Sequence, residues 1–167
     1  MNGINPQLDE NVIAKEGNFV AVQKKLVEYL RAIAAFHSVE QIFYEDKLDL
    51  VREIEKALSA GVLSMCASIG NADDALPDTA GLLLLDPMDV VVRILENPEI
   101  NRSEQGTDIS ALRAAEIIAA TLKLEQVGSG FLTKPRIRLA PVPKDASLVG
   151  REVWFTLTAT IAAEETG

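Results

Sequence analysis

The stretch from Arg151 to Ala163, REVWFTLTATIAA, alternates between apolar and polar side chains more regularly than any other part of the sequence. Successive side chains of a β-strand point to opposite faces, so this stretch predicts a strand with two unlike faces. The apolar face holds Val153, Phe155, Leu157, Ala159 and Ile161, and the other face holds Trp154, Thr156, Thr158 and Thr160. A two-faced strand belongs to an antiparallel sheet that helices cover on one side only.

The remaining elements follow from periodicity and from turn residues. Helical stripes are predicted from Phe19 to Phe36, from Leu48 to Leu58 and from Thr107 to Leu124, with Asn18 capping the first helix and Thr107 or Asp108 the third. Strands are predicted at Val62–Gly70, Leu82–Glu96 and Phe131–Pro143. Val39–Tyr44 weakly favours a further short strand, although Ser38 with Gln41 could instead form the capping box of a helix. This order predicts an α+β fold with a mainly antiparallel sheet of about four strands and helices packed on one face. Residues 1–17 are expected to form an arm, and residues 18–167 a single domain.

The predicted strand from Leu82 to Glu96 is longer than the helix that follows it. The strand would extend about 50 Å, interrupted near Pro87 by a bulge or edge position, against about 24 Å for the helix. A one-sided strand that extends past its helix needs another cover, which we expect to be a neighbouring subunit.

The composition disfavours several classes of function. The formal net charge is −9, and a chain so acidic is not expected to grip nucleic-acid phosphates. A single cysteine, Cys66, allows no internal disulfide and indicates a reducing compartment. The polar N-terminus and the short longest apolar run, GLLLL, predict a soluble intracellular protein without a signal peptide or a membrane span.

The sequence offers little for catalysis or for metal binding. His37 is the only histidine and lies at a predicted helix end, so no Ser-His-Asp or Cys-His arrangement is expected. One cysteine and one histidine do not make a zinc site. The loop NADDALPDTAG lacks the aspartate spacing of a calcium loop. The glycines of GSGF follow a helix, whereas a phosphate-binding loop precedes one, so we expect a turn there. We therefore predict no catalytic, cofactor-binding or metal-binding residues.

The densest polar block is RILENPEINRSEQGTD, between the long strand and the third helix. Its candidate functional residues are Glu96, Asn97, Asn101 and Arg102. Glu96 with Glu99 has the composition of an acid/base pair. In the other interpretation the block is a connection, with Pro98 fixing a turn and the two asparagines satisfying loop backbone. The sequence leaves open whether Arg102 points inward or across a subunit interface.

A second candidate surface combines cations with the only tryptophan. Lys134, Arg136 and Arg138 fall on one face of a predicted strand, where they either face solvent or pair with an acidic loop of a neighbouring copy. Trp154 lies on the polar face of the last strand, where it either anchors an interface or packs against the N-terminal arm. From sequence, Trp154→Ala and a charge reversal at Arg136 are expected to weaken assembly more than folding.

The block VVVRILENPEINRSEQGTDISALRAAEIIAATL resembles strand-to-helix blocks of phage tail-terminator (tail-completion) proteins. The matching residues are Glu96, Asn97, Pro98, Ile100, Asn101, Arg102, Gly106 and Thr107. The final alternating strand and the order of helices and strand pairs are also similar. The resemblance covers residues 45–162, and the first 17 residues lie outside it.

The resemblance implies a virion subunit without catalysis or cofactor. Such subunits form a ring, usually a hexamer, that ends the tail tube and joins it to the head connector, so DNA passes through without specific binding. The implied partners are other copies, the tube protein, the connector and, in a sheathed tail, the sheath; the implied place is the virion tail, assembled in the bacterial cytoplasm. Other interpretations are a different neck or head-completion adaptor, a terminator of a contractile injection particle, and a small α+β enzyme or ligand-binding domain using Glu96, Asn101 and Arg102.

Overall fold

The computed structural model describes residues 3–39, 41–44, 63–70, 88–101, 109–142 and 147–159. The described helices are α1 (Glu10–Glu16), α2 (Asn18–Ala32), the single turn α3 (Pro98–Asn101) and α4 (Ala111–Leu122), with a 3-10 turn at Ala34–Phe36. The described strands are β1 (Gln41–Tyr44), β2 (Leu63–Ile69), β3 (Met88–Glu96), β4 (Gln126–Val127), β5 (Gly130–Leu139) and β6 (Val149–Ala159). The predicted helix at Leu48–Leu58 and the predicted start of the long strand at Leu82 lie outside these residues.

The described strands form one sheet in the order β1-β2-β3-β6-β5-β4. The α+β class is therefore confirmed, but the sheet has six strands rather than about four, and it is mixed. Strand β1 runs parallel to β2, while the other neighbours are antiparallel. A parallel pair needs a connection of a dozen or more residues, which residues 45–62 supply. The sixth strand, β4, forms a tight hairpin with β5 through Gly128 and Ser129, where a turn was predicted.

Both long helices cover the same face of the sheet. Helix α2 packs on β1 and β2, and α4 packs on β3, β5 and β6. The alternation of the last strand is confirmed as far as Thr158, because Val153, Phe155 and Leu157 lie in the core between sheet and helices. Its predicted continuation through Thr160 and Ile161 lies outside the described residues. The other side of the sheet, which carries Trp154 and Thr156, is called the far face below.

Two helices begin at other residues than predicted, because the residues that cap them differ from the predicted caps. Gly17, with φ +95°, precedes α2, so Asn18 is the first helical residue rather than the cap. The cap of α4 is Ser110, whose Oγ accepts a hydrogen bond from the Arg113 N–H at 3.0 Å. The predicted caps, Thr107 and Asp108, lie outside the described residues.

The first residues of the chain are more structured than an arm. Residues 10–16 form α1, which Asp9 caps by accepting from the N–H groups of Asn11 and Val12. Ile4 and Leu8 pack against the core, and the Pro6 carbonyl accepts from the Gly128 N–H at 2.7 Å. These two apolar side chains explain why the segment lies on the domain.

Tyr29 ties α2 to the β4–β5 hairpin. Its ring is buried, and its hydroxyl donates to the Gln126 carbonyl at 2.6 Å. Burial is the largest cause that raises the pKa of Tyr29, and the nearby carboxylates of Glu125 and Glu28 raise it further.

Candidate functional site

The polar block that follows β3 is organised around the buried carboxylate of Glu96. Glu96 is the last residue of β3 and is 6% exposed. Its Oε1 accepts from the Ala111 N–H at 2.9 Å, and its Oε2 accepts from the Asn101 side-chain amide at 2.6 Å. The carboxylate therefore occupies the N-terminus of α4, where negative charge is stabilised, and fixes that helix to the end of β3.

The two asparagines of the block hold the chain between β3 and α4. The Asn97 Oδ1 accepts from the N–H groups of Glu99 at 3.2 Å and Ile100 at 3.5 Å, which caps α3. The Asn101 side-chain amide donates to the Ile109 carbonyl at 2.7 Å as well as to Glu96. Glu96, Asn97 and Asn101 are called the joint below.

The geometry of the joint favours the connection over the acid/base pair, which the sequence offered as an alternative. Both oxygens of Glu96 are occupied by N–H donors, whereas Glu99 is exposed on α3. Asn97 and Asn101 bond loop and helix backbone, as the connection requires. Arg102 lies outside the described residues, so its direction stays open.

Two arginines of the far face surround one carboxylate and one indole. The Arg93 Nε lies 3.1 Å from the Glu152 Oε2, and the Trp154 Nε1–H donates to the Glu152 Oε1 at 3.1 Å. The Arg138 guanidinium lies 4.5 Å from the centre of the Trp154 ring, within the range of a cation–π contact. These four side chains lie side by side on β3, β6 and β5.

Arg136 forms a second polar group on the same face. Its Nη2 lies 3.4 Å from the Asp89 Oδ1, and its Nη1 donates to the Thr156 hydroxyl at 3.3 Å and to the Lys134 carbonyl at 2.9 Å. The ion pair is about one-third exposed on both sides, so it is worth little in stability. Arg136 thus has a carboxylate partner in its own chain.

A β-bulge changes the predicted arrangement of the basic strand. Lys134 and Pro135 lie opposite the single residue Phe155, and Lys134 has φ +52°. Arg136 and Arg138 share the far face as predicted, but Lys134 leaves the alternation and is exposed on the bulge. The physical reason is Pro135, which has no N–H for the ladder and is tolerated at bulges and edges.

Trp154 packs within its own sheet. A Cβ atom on Gly70 would lie 2.5 Å from the Trp154 Cζ3 and 2.8 Å from the Val91 Cγ2, so the indole requires glycine at this position. Trp154 is half-buried on Gly70, Val91 and the Arg138 guanidinium. These contacts are with residues of the sheet and of the turn after β2, whereas the predicted alternative had Trp154 packing against the N-terminal arm. Assembly through Trp154 stays a prediction.

Large apolar side chains are exposed at one end of the domain, and sequence reasoning did not select them. Ile137 and Leu139 face the helix side of β5 but are 40% and 74% exposed, so the rest of the domain leaves them largely in solvent. Val149 pairs with Glu96 across the strands. The Glu96 carboxylate accepts from the N–H of Ala111, the residue before Leu112. Val149 and Leu112 therefore lie at the same end of the domain. The four residues are called the strand-end patch: Leu112, Ile137, Leu139 and Val149.

The part of the chain that the structure describes offers no competing chemical centre. Within it, no group of three or more His, Cys, Asp or Glu residues could hold a metal ion, and no helix is long and apolar enough to cross a membrane. Cys66 is buried in β2, and His37 is exposed beside the 3-10 turn.

A polar cleft of about 410 Å³ lies between the first residues and α2, away from the joint. Two lysines of α2 line it, and both are paired: Lys24 with Glu16 at 2.7 Å and Lys25 with Glu28 at 2.8 Å. The hydrogen bond that the Lys24 ammonium donates to the Glu16 carboxylate is the largest cause that raises the pKa of Lys24. The cleft therefore presents neither ammonium group unpaired to a ligand.

The described residues define an α+β domain with a mixed sheet, helices on one face and an uncovered apolar strand end. No protein-family model, curated protein or solved structure matches the chain.

Proposed function

We propose that this chain is the subunit of a homo-oligomeric ring, a hexamer, that ends a phage tail tube and joins the tail to the head connector. The observation that carries the proposal is the strand-end patch, where the last residues of β5 leave Ile137 and Leu139 in solvent. From sequence we expected the overhang on the Leu82–Glu96 strand. Its described part, β3, keeps its helix-side residues buried, and β5 has the uncovered end.

The composition around the strand-end patch supports an assembly role. Exposed apolar area carries a free-energy cost of about 25 cal/mol per Å², so a partner that covers it gains stability. Arg151 pairs with Leu139 on the helix side of the sheet, and Arg138 precedes Leu139 in β5 with its side chain on the far face. Arginine is enriched at protein interfaces, where it surrounds apolar contacts.

The joint supports the same proposal. The block that resembles tail-terminator proteins contains Glu96, Asn97 and Asn101, and these side chains fix the relative position of β3 and α4. A ring closes only when each subunit presents its two contact surfaces at a fixed angle, so a rigid connection at the patch is useful. The same contacts disfavour the enzyme alternative, because Glu96 and Asn101 already bond backbone groups.

The partners in this proposal are the tail tube protein on one side, the head connector on the other and, in a sheathed tail, the sheath. The ring acts in the virion tail without catalysis and without a cofactor. The net charge of −9 suits a channel through which DNA slides, because it does not attract phosphates. A neck adaptor or the terminator of a contractile injection particle is also a ring, and differs in its partners.

The experiment that tests the proposal is tube growth. A phage tail tube protein is polymerised with and without the purified chain, and tube lengths are measured by electron microscopy. The proposal predicts shorter tubes, each with added density at one end. A variant with Ile137→Ser and Leu139→Ser is the control and should lose the effect while it stays folded. Tubes of unchanged length with bare ends would contradict the proposal.

A further inference from the structure

Among the residues that the structure describes, the cover on the outer edge of β5 lies along its first residues. Strand β4 pairs with Gly130 and Phe131, and Leu132 exchanges hydrogen bonds with the backbone of Leu124 and Glu125 at 2.7 and 3.0 Å. Beyond the bulge, the described part of the chain places no strand beside Arg136–Leu139. This four-residue segment, Arg136–Leu139, is called the free edge below.

The hydrogen bonds of β5 identify which backbone groups the free edge presents. The Ala140 N–H donates to the Gly150 carbonyl at 3.2 Å, so Ala140 points its backbone groups toward β6. Orientation alternates along an antiparallel strand, so Arg138 and Arg136 also point toward β6. Ile137 and Leu139 point their N–H and C=O groups outward, where no described residue bonds them. These two residues also have the exposed apolar side chains.

Residues that discourage strand pairing precede the free edge in the sequence but do not extend along it. A proline, a lysine and a bulge commonly guard exposed edge strands against unwanted pairing, and Pro135 and Lys134 form such a guard before the free edge. The opposite edge of the sheet is β1, where the Ile42 carbonyl accepts from the Arg31 guanidinium at 2.7 Å. The free edge has outward N–H groups and apolar side chains without a comparable cover in the described residues.

We infer that the free edge pairs with an extended segment of a second copy of this chain, which adds a strand to the sheet. The inference rests on the proposed function and names the contact that closes its ring. The added segment would place apolar side chains beside Ile137 and Leu139 on the helix side. It would place acidic side chains beside Arg138 on the far face.

The charge of the free edge indicates which surface of the second copy pairs with it and whether the two contacting surfaces are the same. The free edge carries Arg136 and Arg138, whereas the chain has 25 acidic residues against 16 basic ones, so the rest of a second copy is acidic. Two free edges facing each other would bring like charges together across the strands, which is destabilising. The contact therefore joins two different surfaces of the two copies. Contacts of this kind generate a ring when the rotation between copies closes.

Two variants at one position test strand addition. Leu139→Thr keeps the outward N–H and removes the apolar side chain, while Leu139→Pro also removes the N–H. Because this N–H points away from β6, proline leaves the ladder with β6 intact. We expect Leu139→Pro to weaken assembly about tenfold more than Leu139→Thr, measured by sedimentation over a range of concentrations. Thermal unfolding of both variants checks that they fold.

Hydrogen exchange of the wild-type chain supplies a readout that needs no variant. The amides of Ile137 and Leu139 are expected to exchange slowly in the assembled chain and rapidly after dilution to single subunits. Equal weakening by the two Leu139 variants, or fast exchange of both amides in the assembled chain, overturns strand addition and leaves the proposed ring standing. A wild-type chain that stays a single subunit at high concentration contradicts the ring itself.

Discussion

Replacing Glu96 with alanine is expected to lower the free energy of unfolding by about 3 kcal/mol. The substitution removes two hydrogen bonds to a carboxylate, from the Ala111 N–H and from the Asn101 amide. Both donors lie at a buried position, where an N–H without an acceptor is costly. Urea or guanidinium unfolding, followed by circular dichroism, measures the loss.

Two control variants show whether the loss of stability comes from the Glu96 carboxylate itself. Glu99→Ala removes an exposed carboxylate three residues away and is expected to change stability by no more than about 0.5 kcal/mol. Glu96→Gln keeps one carbonyl acceptor and should lie between the wild type and Glu96→Ala. An unfolding free energy of Glu96→Ala equal to that of Glu99→Ala would mean that the carboxylate does not hold α4.

Replacing Trp154 with alanine is expected to lower the free energy of unfolding by about 2 kcal/mol, less than for a fully buried tryptophan. The variant loses the packing on Gly70 and Val91, the hydrogen bond to Glu152 and the contact with Arg138. From sequence we expected a larger effect on assembly than on folding. The intrachain contacts now predict a cost in folding as well.

Trp154→Phe separates the contribution of ring packing from that of the hydrogen bond to Glu152, because phenylalanine keeps a ring over Gly70 but has no Nε1–H donor. We expect it to recover most of the stability, which thermal and denaturant unfolding measure. Trp154 is the only tryptophan, so its fluorescence reports on the far face directly. A stability of Trp154→Ala equal to that of the wild type would contradict the packing on Gly70.

The sequence predicted most of the features that depend on periodicity. The two faces of β6 and the stripe of α2 follow from spacings of two residues and of three and four residues. These spacings indicate which side chains of each element face the core, and that is the information that hydrophobic periodicity carries. The short strand β1 also lies where a weak signal indicated one.

The features that the sequence did not predict depend on pairs distant in the chain. Ala111 follows Glu96 by fifteen positions, and no local pattern shows that they bond. Trp154 and Gly70 lie on β6 and at the end of β2, which β3 separates. The bulge at Lys134 has a local signal in Pro135, because a proline within a strand is typical of a bulge, where simple alternation no longer holds.

Exposure of the strand-end patch was also beyond sequence reasoning. Ile137 and Leu139 alternate as the residues of a buried strand face do, but both lie in solvent in the folded domain. Which residues of a strand face are covered depends on where the packed helix begins and ends. The predicted helix from Thr107 to Leu124 is longer than α4 at both ends, because Ser110 caps the helix and Leu124, with φ +67°, lies beyond its end.

The mass of the wild-type chain in solution, measured by sedimentation or native mass spectrometry and accompanied by negative-stain images, tests the central claim most directly. The ring proposal predicts a closed species of defined subunit number, with six times the mass of one chain, and annular particles in the images. Assembly should weaken in the Leu139 variants. A chain that remains a single subunit at every concentration, with no annular particles, would contradict the account.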